Sequence, residues 1–286
     1  MEFGITLFTS DRGITPAAAA RAVERFGFDS FYVPEHTHIP VRRDAAHPQT
    51  GDESLPDDRY MRTLDPWVAL GTCASVTERI RLGTAVALPV EHDPITLAKT
   101  IATLDHLSGG RVTLGVGYGW NLDELTDHGV PIAKRRTMLR EYLEGMQALW
   151  SQQEASYEGE FLSFGPSWAW PKTIQQPRVP VIVGAAGNEK NFKWIARSAD
   201  GWITTPGEQD IEGSVRLLQQ IWADAGREGA PQIVVLDFKP VQEKLDSWRE
   251  LGVTTVLYGV PDDNVEKAGA YLTKLAGKLG LSPVTV

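Results

Sequence analysis

The sequence predicts an α/β fold, a (β/α)8 TIM barrel with an insertion after the fourth helix. Eight short apolar runs alternate with helical patterns along the 286 residues. The third run is rich in branched apolar residues, as a parallel strand covered on both faces should be. Parallel strands joined by right-handed helical crossovers close most economically as a barrel, and an open doubly wound sheet is the alternative fold.

Each strand is predicted from an apolar run bounded by turn residues. The eight predicted strands are residues 2–8, 29–34, 79–89, 111–117, 179–184, 201–205, 232–236 and 254–260. A helix is expected after each strand, where a capping residue or a proline precedes apolar residues at helical spacing. The clearest helices begin near Pro16, Pro66, Pro94, Lys134, Glu189, Val241 and Asp262.

Two segments do not fit the repeat. Residues 39–64 form a polar stretch with many turn residues and no periodicity, and a loop of that length is typically a lid or a binding loop. We call it the lid loop. Residues 151–178 contain several aromatic side chains among turn residues, too aromatic for a disordered linker and too irregular for a barrel repeat. This insertion is expected to pack on the barrel.

Composition limits the class of protein. With 42% apolar residues, the chain can bury a large core, and we expect a single domain over residues 1–286. The net charge of -9 disfavours nucleic acid or an anionic membrane as partner. No leader-like or bilayer-spanning run is present, so a cytoplasmic protein is expected. The single Cys73 excludes an internal disulfide and is expected to be a buried, inert thiol.

The run Glu35-His36-Thr37-His38 closes the second strand. In a barrel, chemistry is concentrated at the carboxyl ends of the strands. The H-x-H spacing resembles the first ligand pair of metal-dependent amidohydrolase barrels, but no histidine follows His128, so later strands supply no further imidazole. A single imidazole could instead act as an acid/base or as a hydrogen-bond partner of an organic cofactor. Two solvent-exposed loop histidines are the third interpretation.

Two glycine-containing turns also follow predicted strands. In Gly115-Val116-Gly117-Tyr118-Gly119-Trp120 the third glycine of a G-x-G-x-x-G motif would fall on Trp120, so the run fails as a dinucleotide signature. It indicates a tight turn or a close approach to a flat ligand. The run Gly184-Ala185-Ala186-Gly187-Asn188 precedes a helix, whose free N–H groups could bind a phosphate. A plain turn is the alternative.

Taken together and in order, several motifs resemble the luciferase-like monooxygenase family over nearly the whole chain. They are Gly27-Phe28-Asp29-Ser30, Val33-Pro34-Glu35-His36, Arg81-Leu82-Gly83-Thr84, residues 93–99, residues 104–111 and residues 115–121. Further runs resemble the branch that uses the deazaflavin coenzyme F420. They are His36-Thr37-His38-Ile39-Pro40, Glu158-Gly159-Glu160-Phe161, Trp170-Pro171-Lys172 and Ala199-Asp200-Gly201-Trp202.

The resemblance implies a TIM-type barrel that binds a flavin or deazaflavin at the mouth. It assigns His36 as the active-site histidine, and Thr84, Ala85 and Val86 as a bulge that supports the ring, with a cis peptide between Ala85 and Val86. It assigns Tyr118 to a position where the luciferases carry an arginine. The phosphate loop corresponds to Gly184, Ala185, Ala186, Gly187 and Asn188, although the branch usually shows Gly-Gly-Asn there.

The function that the resemblance implies is hydride transfer between coenzyme F420 and a small organic substrate. The alternatives are an FMN-dependent monooxygenase on the same barrel, a metal hydrolase using His36 and His38, and a non-catalytic cofactor-binding protein. No metal is expected under the main interpretation. Tryptophans such as Trp67, Trp120, Trp168 and Trp170 make an apolar or aromatic substrate plausible. A homodimer is implied by the resemblance.

Overall fold

The computed structural model of the protein describes residues 1–284. Within them the strands are β1 (Glu2–Thr6), β2 (Ser30–Val33), β3 (Arg81–Thr84), β4 (Val112–Gly117), β5 (Ala155–Glu158), β6 (Ser163–Ser167), β7 (Val181–Gly184), β8 (Gly201–Ile203), β9 (Gln232–Asp237) and β10 (Thr255–Gly259). All except β5 and β6 form a closed barrel in the order β1-β10-β9-β8-β7-β4-β3-β2. Every pair in the barrel is parallel. The predicted (β/α)8 fold is confirmed, because each predicted strand contains or overlaps a barrel strand.

The helices of the described residues are α1 (Pro16–Arg25), α2 (Pro66–Ala74), α3 (Pro94–Leu107), α4 (Leu122–Asp127), α5 (Arg135–Ser151), α6 (Glu189–Ser198), α7 (Ile211–Asp224), α8 (Gln242–Glu250) and α9 (Val265–Leu279). Three of them begin at a proline that follows a capping side chain, namely Thr15, Asp65 or Asp93. Such a pair satisfies a free N–H and sets the first helical φ. The helix α4 was not predicted, and it supplies a key side chain.

The insertion is no barrel repeat, as predicted, but it contains regular structure that was not predicted. β5 and β6 form an antiparallel hairpin outside the barrel, whose register shifts between Ala155 and Tyr157. Ala155 is buried and Phe164 packs against the core, so the insertion does pack on the barrel. Trp168 and Trp170 remain 79% and 61% exposed. The alternation typical of a strand is hidden because both strands are short and mostly polar, and β6 is interrupted by Gly165 and Pro166.

The inside of the barrel is filled by a separate apolar cluster. Its buried members are Tyr32, Ile182, Ile203, Val234 and Leu257. Gly83 makes room for the largest of them, because a Cβ at this position would lie 2.3 Å from the ring of Tyr32. The barrel is therefore a packed core rather than a pore, and any ligand must bind at its mouth.

A buried carboxylate at the opposite end of the barrel fixes the entry to β3. Glu24 of α1 is 1% exposed. It accepts hydrogen bonds from the amides of Glu78 (3.0 Å), Arg79 (2.6 Å) and Ile80 (3.0 Å). These hydrogen bonds to backbone N–H groups tie α1 to the start of β3.

We expect Glu24→Ala to lower the free energy of unfolding by about 3 kcal/mol, because it leaves buried amides without an acceptor. Urea denaturation monitored by circular dichroism measures this change. Glu78→Ala, which removes an exposed side chain from the same turn, is the control and should change the value by less than about 0.5 kcal/mol. Equal losses in the two variants would contradict the role given to Glu24.

Candidate active site

His36 and Glu124 form a buried pair at the mouth of the barrel. His36 follows β2, and Glu124 lies on α4 just after β4. Their side chains are 6% and 0% exposed, and His36 Nδ1 is 2.8 Å from Glu124 Oε2. A carboxylate can only accept, so the Nδ1–H of His36 donates to it. In the neutral ring Nε2 is therefore left with a free lone pair. We call this pair the dyad.

Glu124 is held in its ionised form by its neighbours. Burial works to raise the pKa of Glu124, but the hydrogen bond and charge of His36, together with backbone N–H groups, outweigh it and lower the pKa below its usual value. The amide of Thr37 donates to Oε1 at 2.9 Å, and the side-chain amide of Asn121 donates to Oε2 at 3.3 Å. A charged carboxylate fixes the tautomer of His36, because it accepts the hydrogen of Nδ1.

Aromatic rings enclose His36. The ring of Trp120 lies edge-on at 5.6 Å between centroids, and that of Tyr60 is tilted at 5.5 Å. His47 packs edge-on against both Trp120, at 4.7 Å, and Tyr60, at 4.9 Å. Three separate segments thus meet around the imidazole: the end of β2, the turn after β4 and the lid loop.

The lid loop lies over the dyad. The carboxylate of Asp123 on α4 accepts hydrogen bonds from the amides of Asp44 (3.0 Å) and Ala45 (2.9 Å). His47 accepts at Nδ1 from the amide of Gln49 at 3.1 Å. Burial, together with the nearby charges of His36 and Arg43, lowers the pKa of His47, which favours its neutral form. The predicted position of the loop is consistent with a cover, while its mobility stays a prediction.

Two more carboxylates are buried behind the dyad. Glu35 accepts from the amide of Leu88 at 2.6 Å and lies 2.7 Å from His92 Nε2. Glu91, in the short 3-10 helix Pro89–Glu91, has a pKa raised to about 9 by burial and by the charges of Glu124 and Glu35. Glu91 therefore retains its proton at neutral pH, which limits the repulsion among three neighbouring acids.

The predicted ring-supporting residues lie at the end of β3. The peptide between Ala85 and Val86 is cis, as predicted. Val86 lies between the ends of β4 and β7: a Cβ on Gly117 or Gly184 would come within 2.7 or 2.8 Å of its methyl groups. Thr84 donates from Oγ1 to the carbonyl of Gly115 at 2.7 Å. Glycines at the two strand ends thus let Val86 occupy the mouth.

Tyr118 follows β4 and is packed between two side chains. The guanidinium of Arg136 lies 4.4 Å from its ring centroid, and the ring of Trp194 is edge-on at 5.5 Å. Burial raises the pKa of Tyr118 to about 12, so its hydroxyl is a neutral donor. That buried hydroxyl and Asn121 Oδ1 have no hydrogen-bond partner among residues 1–284. Unpaired buried polar atoms at the mouth fit a polar ligand.

The glycine run after β7 has one amide that already donates to a carboxylate. Asn188 caps α6 by accepting from the amide of Asn191 at 3.0 Å. The amide of Gly187 donates to the carboxylate of Glu208 at 3.0 Å. In the part of the chain that the structure describes, the amides of Ala186 and Asn188 show no such partner. A phosphate here would meet two free amides and would have to displace Glu208 from the third.

The second histidine of the H-x-H motif does not join the first. His38 Nε2 contacts the exposed Asp127 at 3.0 Å, whereas His36 contacts Glu124. Between residues 1 and 284, no three or more His, Cys, Asp or Glu side chains are grouped so that they could hold a metal ion.

Cys73 is buried in α2, and burial raises its pKa to about 12, consistent with an inert thiol. No helix among the described residues has the length and apolar character needed to cross a membrane.

The sequence analysis did not identify Glu124, Tyr60 or His47 as site residues. The sequence contains one indication of Glu124: it is an acidic residue within a few positions of the turn at the end of β4, where the loops of a barrel carry catalytic residues. Tyr60 and His47 belong to the lid loop, which was identified as a cover. Nothing in its sequence indicates which of its side chains face His36.

The family model for luciferase-like monooxygenases matches residues 1–251, and the chain belongs to that family. An uncharacterized protein of Mycobacterium tuberculosis (strain ATCC 25618 / H37Rv) is 72% identical over 279 residues, covering 98% of this chain and 99% of that protein. An F420-dependent glucose-6-phosphate dehydrogenase of Nakamurella multipartita is 32% identical over 195 residues, covering 67% of this chain and 52% of that enzyme. The match therefore spans about half the length of the dehydrogenase.

Solved structures share the fold at low sequence identity. The monooxygenase RslO1 from Streptomyces bottropensis aligns with a TM-score of 0.79 and 21% identity, covering 98% of both chains. The coenzyme F420 dependent tetrahydromethanopterin reductase from Methanopyrus kandleri aligns with a TM-score of 0.72 and 17% identity, covering 97% of both chains. Both likenesses support the barrel, and the family supports an oxidoreductase.

Proposed function

We propose that the protein is a coenzyme F420-dependent oxidoreductase that transfers a hydride between the deazaflavin and a small organic substrate. The observation that carries the proposal is the dyad: a buried imidazole at the mouth of a luciferase-like barrel, with Nδ1 bound to a carboxylate, which leaves Nε2 of the neutral ring with a lone pair. The dehydrogenase from Nakamurella multipartita supports coenzyme F420 as the cofactor.

Residues at three strand ends would hold the cofactor. Thr84, Ala85 and Val86 would contact the ring system from β3, and Tyr118 would offer its unpaired hydroxyl from the end of β4. The run from Gly184 to Asn188 would bind the phosphate through its free amides, with Glu208 moving aside. When bound, coenzyme F420 supplies a two-electron hydride carrier.

The dyad would handle the proton that accompanies the hydride. Oxidation of a substrate hydroxyl to a carbonyl releases a hydride from carbon and a proton from oxygen. His36 Nε2 would take this proton, and the charge of Glu124 would stabilise the resulting imidazolium. In the opposite direction the same imidazolium would return the proton to the carbonyl oxygen. The ring wall of Trp120 and Tyr60 would exclude water from this step.

An FMN-dependent monooxygenase is the second candidate, because the structural neighbour RslO1 is a monooxygenase. The two candidates differ in their use of oxygen. We would supply the purified protein with reduced FMN or with either redox form of coenzyme F420, add a panel of small alcohols and carbonyl compounds, and record cofactor oxidation state and oxygen uptake. Substrate-dependent change in coenzyme F420 without oxygen uptake supports the proposal. Substrate-dependent oxygen uptake with FMN overturns it.

Further parts of the proposal concern the whole protein. We propose a homodimer in the cytoplasm, acting on a small, mainly apolar substrate and needing no metal.

Two other results would favour the remaining alternatives. A protein that binds coenzyme F420 tightly but transfers no hydride would be the non-catalytic alternative. Equal loss of activity in His36 and His38 variants, restored by zinc, would favour the metal hydrolase.

The lid loop should become less mobile when coenzyme F420 binds. We expect amide exchange over residues 39–64 to slow in the presence of saturating cofactor, because Tyr60 and His47 pack directly around His36. Hydrogen–deuterium exchange with mass spectrometry measures this, and α9 (Val265–Leu279) serves as the internal control. Exchange unchanged over the loop would mean that it is a fixed surface excursion.

A further inference from the structure

The hydroxyl of Thr37 lies among four ionisable side chains, between the dyad and the surface. Its Oγ1 is 2.7 Å from His128 Nε2 and 3.0 Å from His38 Nδ1. It is 3.4 Å from Glu124 Oε1 and 3.5 Å from Glu91 Oε2. A hydroxyl donates one hydrogen bond and accepts two. The four contacts cannot all be made at once, so the protonation of the neighbours decides where the single proton points.

The second contact of His38 determines its tautomer. Its Nε2 lies 3.0 Å from Asp127 Oδ2, and a carboxylate only accepts, so Nε2 carries a hydrogen. In the neutral ring Nδ1 is then an acceptor, and the hydroxyl of Thr37 donates to it. When the ring gains a second proton, Nδ1 becomes a donor. The hydroxyl must then direct its own proton to another acceptor.

Glu124 is the acceptor available for that proton. Glu91 Oε2 lies at nearly the same distance from the hydroxyl, but burial and the charges of Glu124 and Glu35 raise the pKa of Glu91 to about 9, so Glu91 retains a proton of its own and is the weaker acceptor. His128 has a pKa lowered by burial and by the charge of His38, and as a neutral ring it can donate from Nε2 in both states.

We propose that Thr37 is a positioning residue that couples the protonation of the exposed His38 to the buried dyad. With His38 neutral, Glu124 accepts hydrogen bonds from backbone N–H groups, including that of Thr37 at Oε1, but not from the Thr37 hydroxyl. With His38 protonated, it gains the hydroxyl as a further donor. The extra hydrogen bond stabilises the carboxylate charge, so Glu124 attracts the proton of His36 less strongly and His36 becomes less basic. This inference rests on the proposed function in one respect: hydride transfer is what would give the basicity of His36 a role in turnover.

Few titratable groups lie near the hydroxyl of Thr37, and each can be followed separately. Asp127 pairs with His38, and His128 and Glu91 contact or approach the hydroxyl. His92 pairs with Glu35 behind them. A change of protonation at one of these groups can reach the dyad in two ways. It can act through the hydroxyl of Thr37, or it can act as a charge through space, which does not need Thr37.

Nitrogen-15 NMR of the histidine side chains tests the proposal in the protein without cofactor. We expect the His36 signals to show a second inflection at the midpoint of His38, with the ionisation constant of His36 changing by roughly 3- to 10-fold between the two states of His38. Thr37→Val should remove the second inflection, and Thr37→Ser should keep it. Thr126→Val is the matched control, because its hydroxyl bonds only to the Leu122 carbonyl on α4.

Each outcome decides the matter. A single inflection in the wild-type protein, or full coupling in Thr37→Val, would overturn the proposal, the latter by assigning the effect to charge acting through space. In the pH profile of hydride transfer, Thr37→Val should lose the step that corresponds to His38, and Thr37→Ser should keep it. Coupling seen in a protein that transfers no hydride would contradict the proposed function and leave this inference standing. Hydride transfer without coupling would do the reverse.

Discussion

Replacing His36 with alanine should lower the rate of hydride transfer by about 100-fold or more, the usual scale for a positioned acid/base group. The variant removes the imidazole whose Nε2 would exchange a proton with the substrate, whereas the packing around it is largely aromatic and lies at the mouth rather than in the core. Single-turnover kinetics with coenzyme F420 measure the chemical step, and a separate titration measures cofactor affinity. The fold should be retained, although the buried carboxylate of Glu124 loses its hydrogen bond to His36 and some stability is lost with it.

His38→Ala is the comparison that gives the first result its meaning. His38 pairs with the exposed Asp127 and not with the dyad, so we expect a much smaller loss. A metal site would make the two substitutions similarly damaging, because each would remove a ligand. Chemistry near the wild-type rate in His36→Ala would refute the assignment of this residue.

Glu124→Gln should cost nearly as much, about 100-fold in the chemical step, although it changes few atoms. Oε1 of Glu124 faces the amide of Thr37, so the replacing carbonyl oxygen must stay there and the new NH2 group must face His36 Nδ1. The imidazole would then carry its hydrogen on Nε2 and have no free lone pair for the substrate. The pH profile and the rate should both change.

Glu91→Gln is the matched control for this substitution. It is a buried carboxyl beside the dyad that already holds a proton near neutrality, so an amide should replace it with little effect on the rate. Equal losses of activity in Glu124→Gln and Glu91→Gln would remove the distinction between the two carboxyl groups.

The stability of the protein should also depend on the ionisation of Glu124. Because the pKa of Glu124 is lowered in the folded protein, its ionised form stabilises the fold above the ordinary carboxyl pKa. That stability is lost as the pH falls through the lowered value.

The barrel and the place of its chemistry were predictable from the sequence for a physical reason. Parallel strands buried on both faces are continuous apolar runs, and helices that cover them show a 3.6-residue period. Their alternation alone predicts that the carboxyl end of β2, and hence His36, faces the mouth. The cis peptide at Ala85 could be predicted only from the family resemblance.

The partner of His36 could not be predicted in the same way. Glu124 lies 88 residues away along the chain on α4, a helix of six residues, which is too short to show a period. The hairpin in the insertion was missed because its strands are short and polar. Glu208, which occupies one amide of the proposed phosphate loop, comes from a loop after β8. Contacts of this kind depend on loop conformations that local sequence does not specify.

The measurement that tests the central claim most directly is an equilibrium titration of the purified protein with coenzyme F420 and, in parallel, with FMN, followed by tryptophan fluorescence. Trp120 packs against His36, so a ligand at the dyad should change its emission. We predict saturable binding of coenzyme F420, at least about 10-fold tighter than that of FMN, and a clearly altered emission change in His36→Ala. Tight binding of FMN with none of coenzyme F420 would contradict the account.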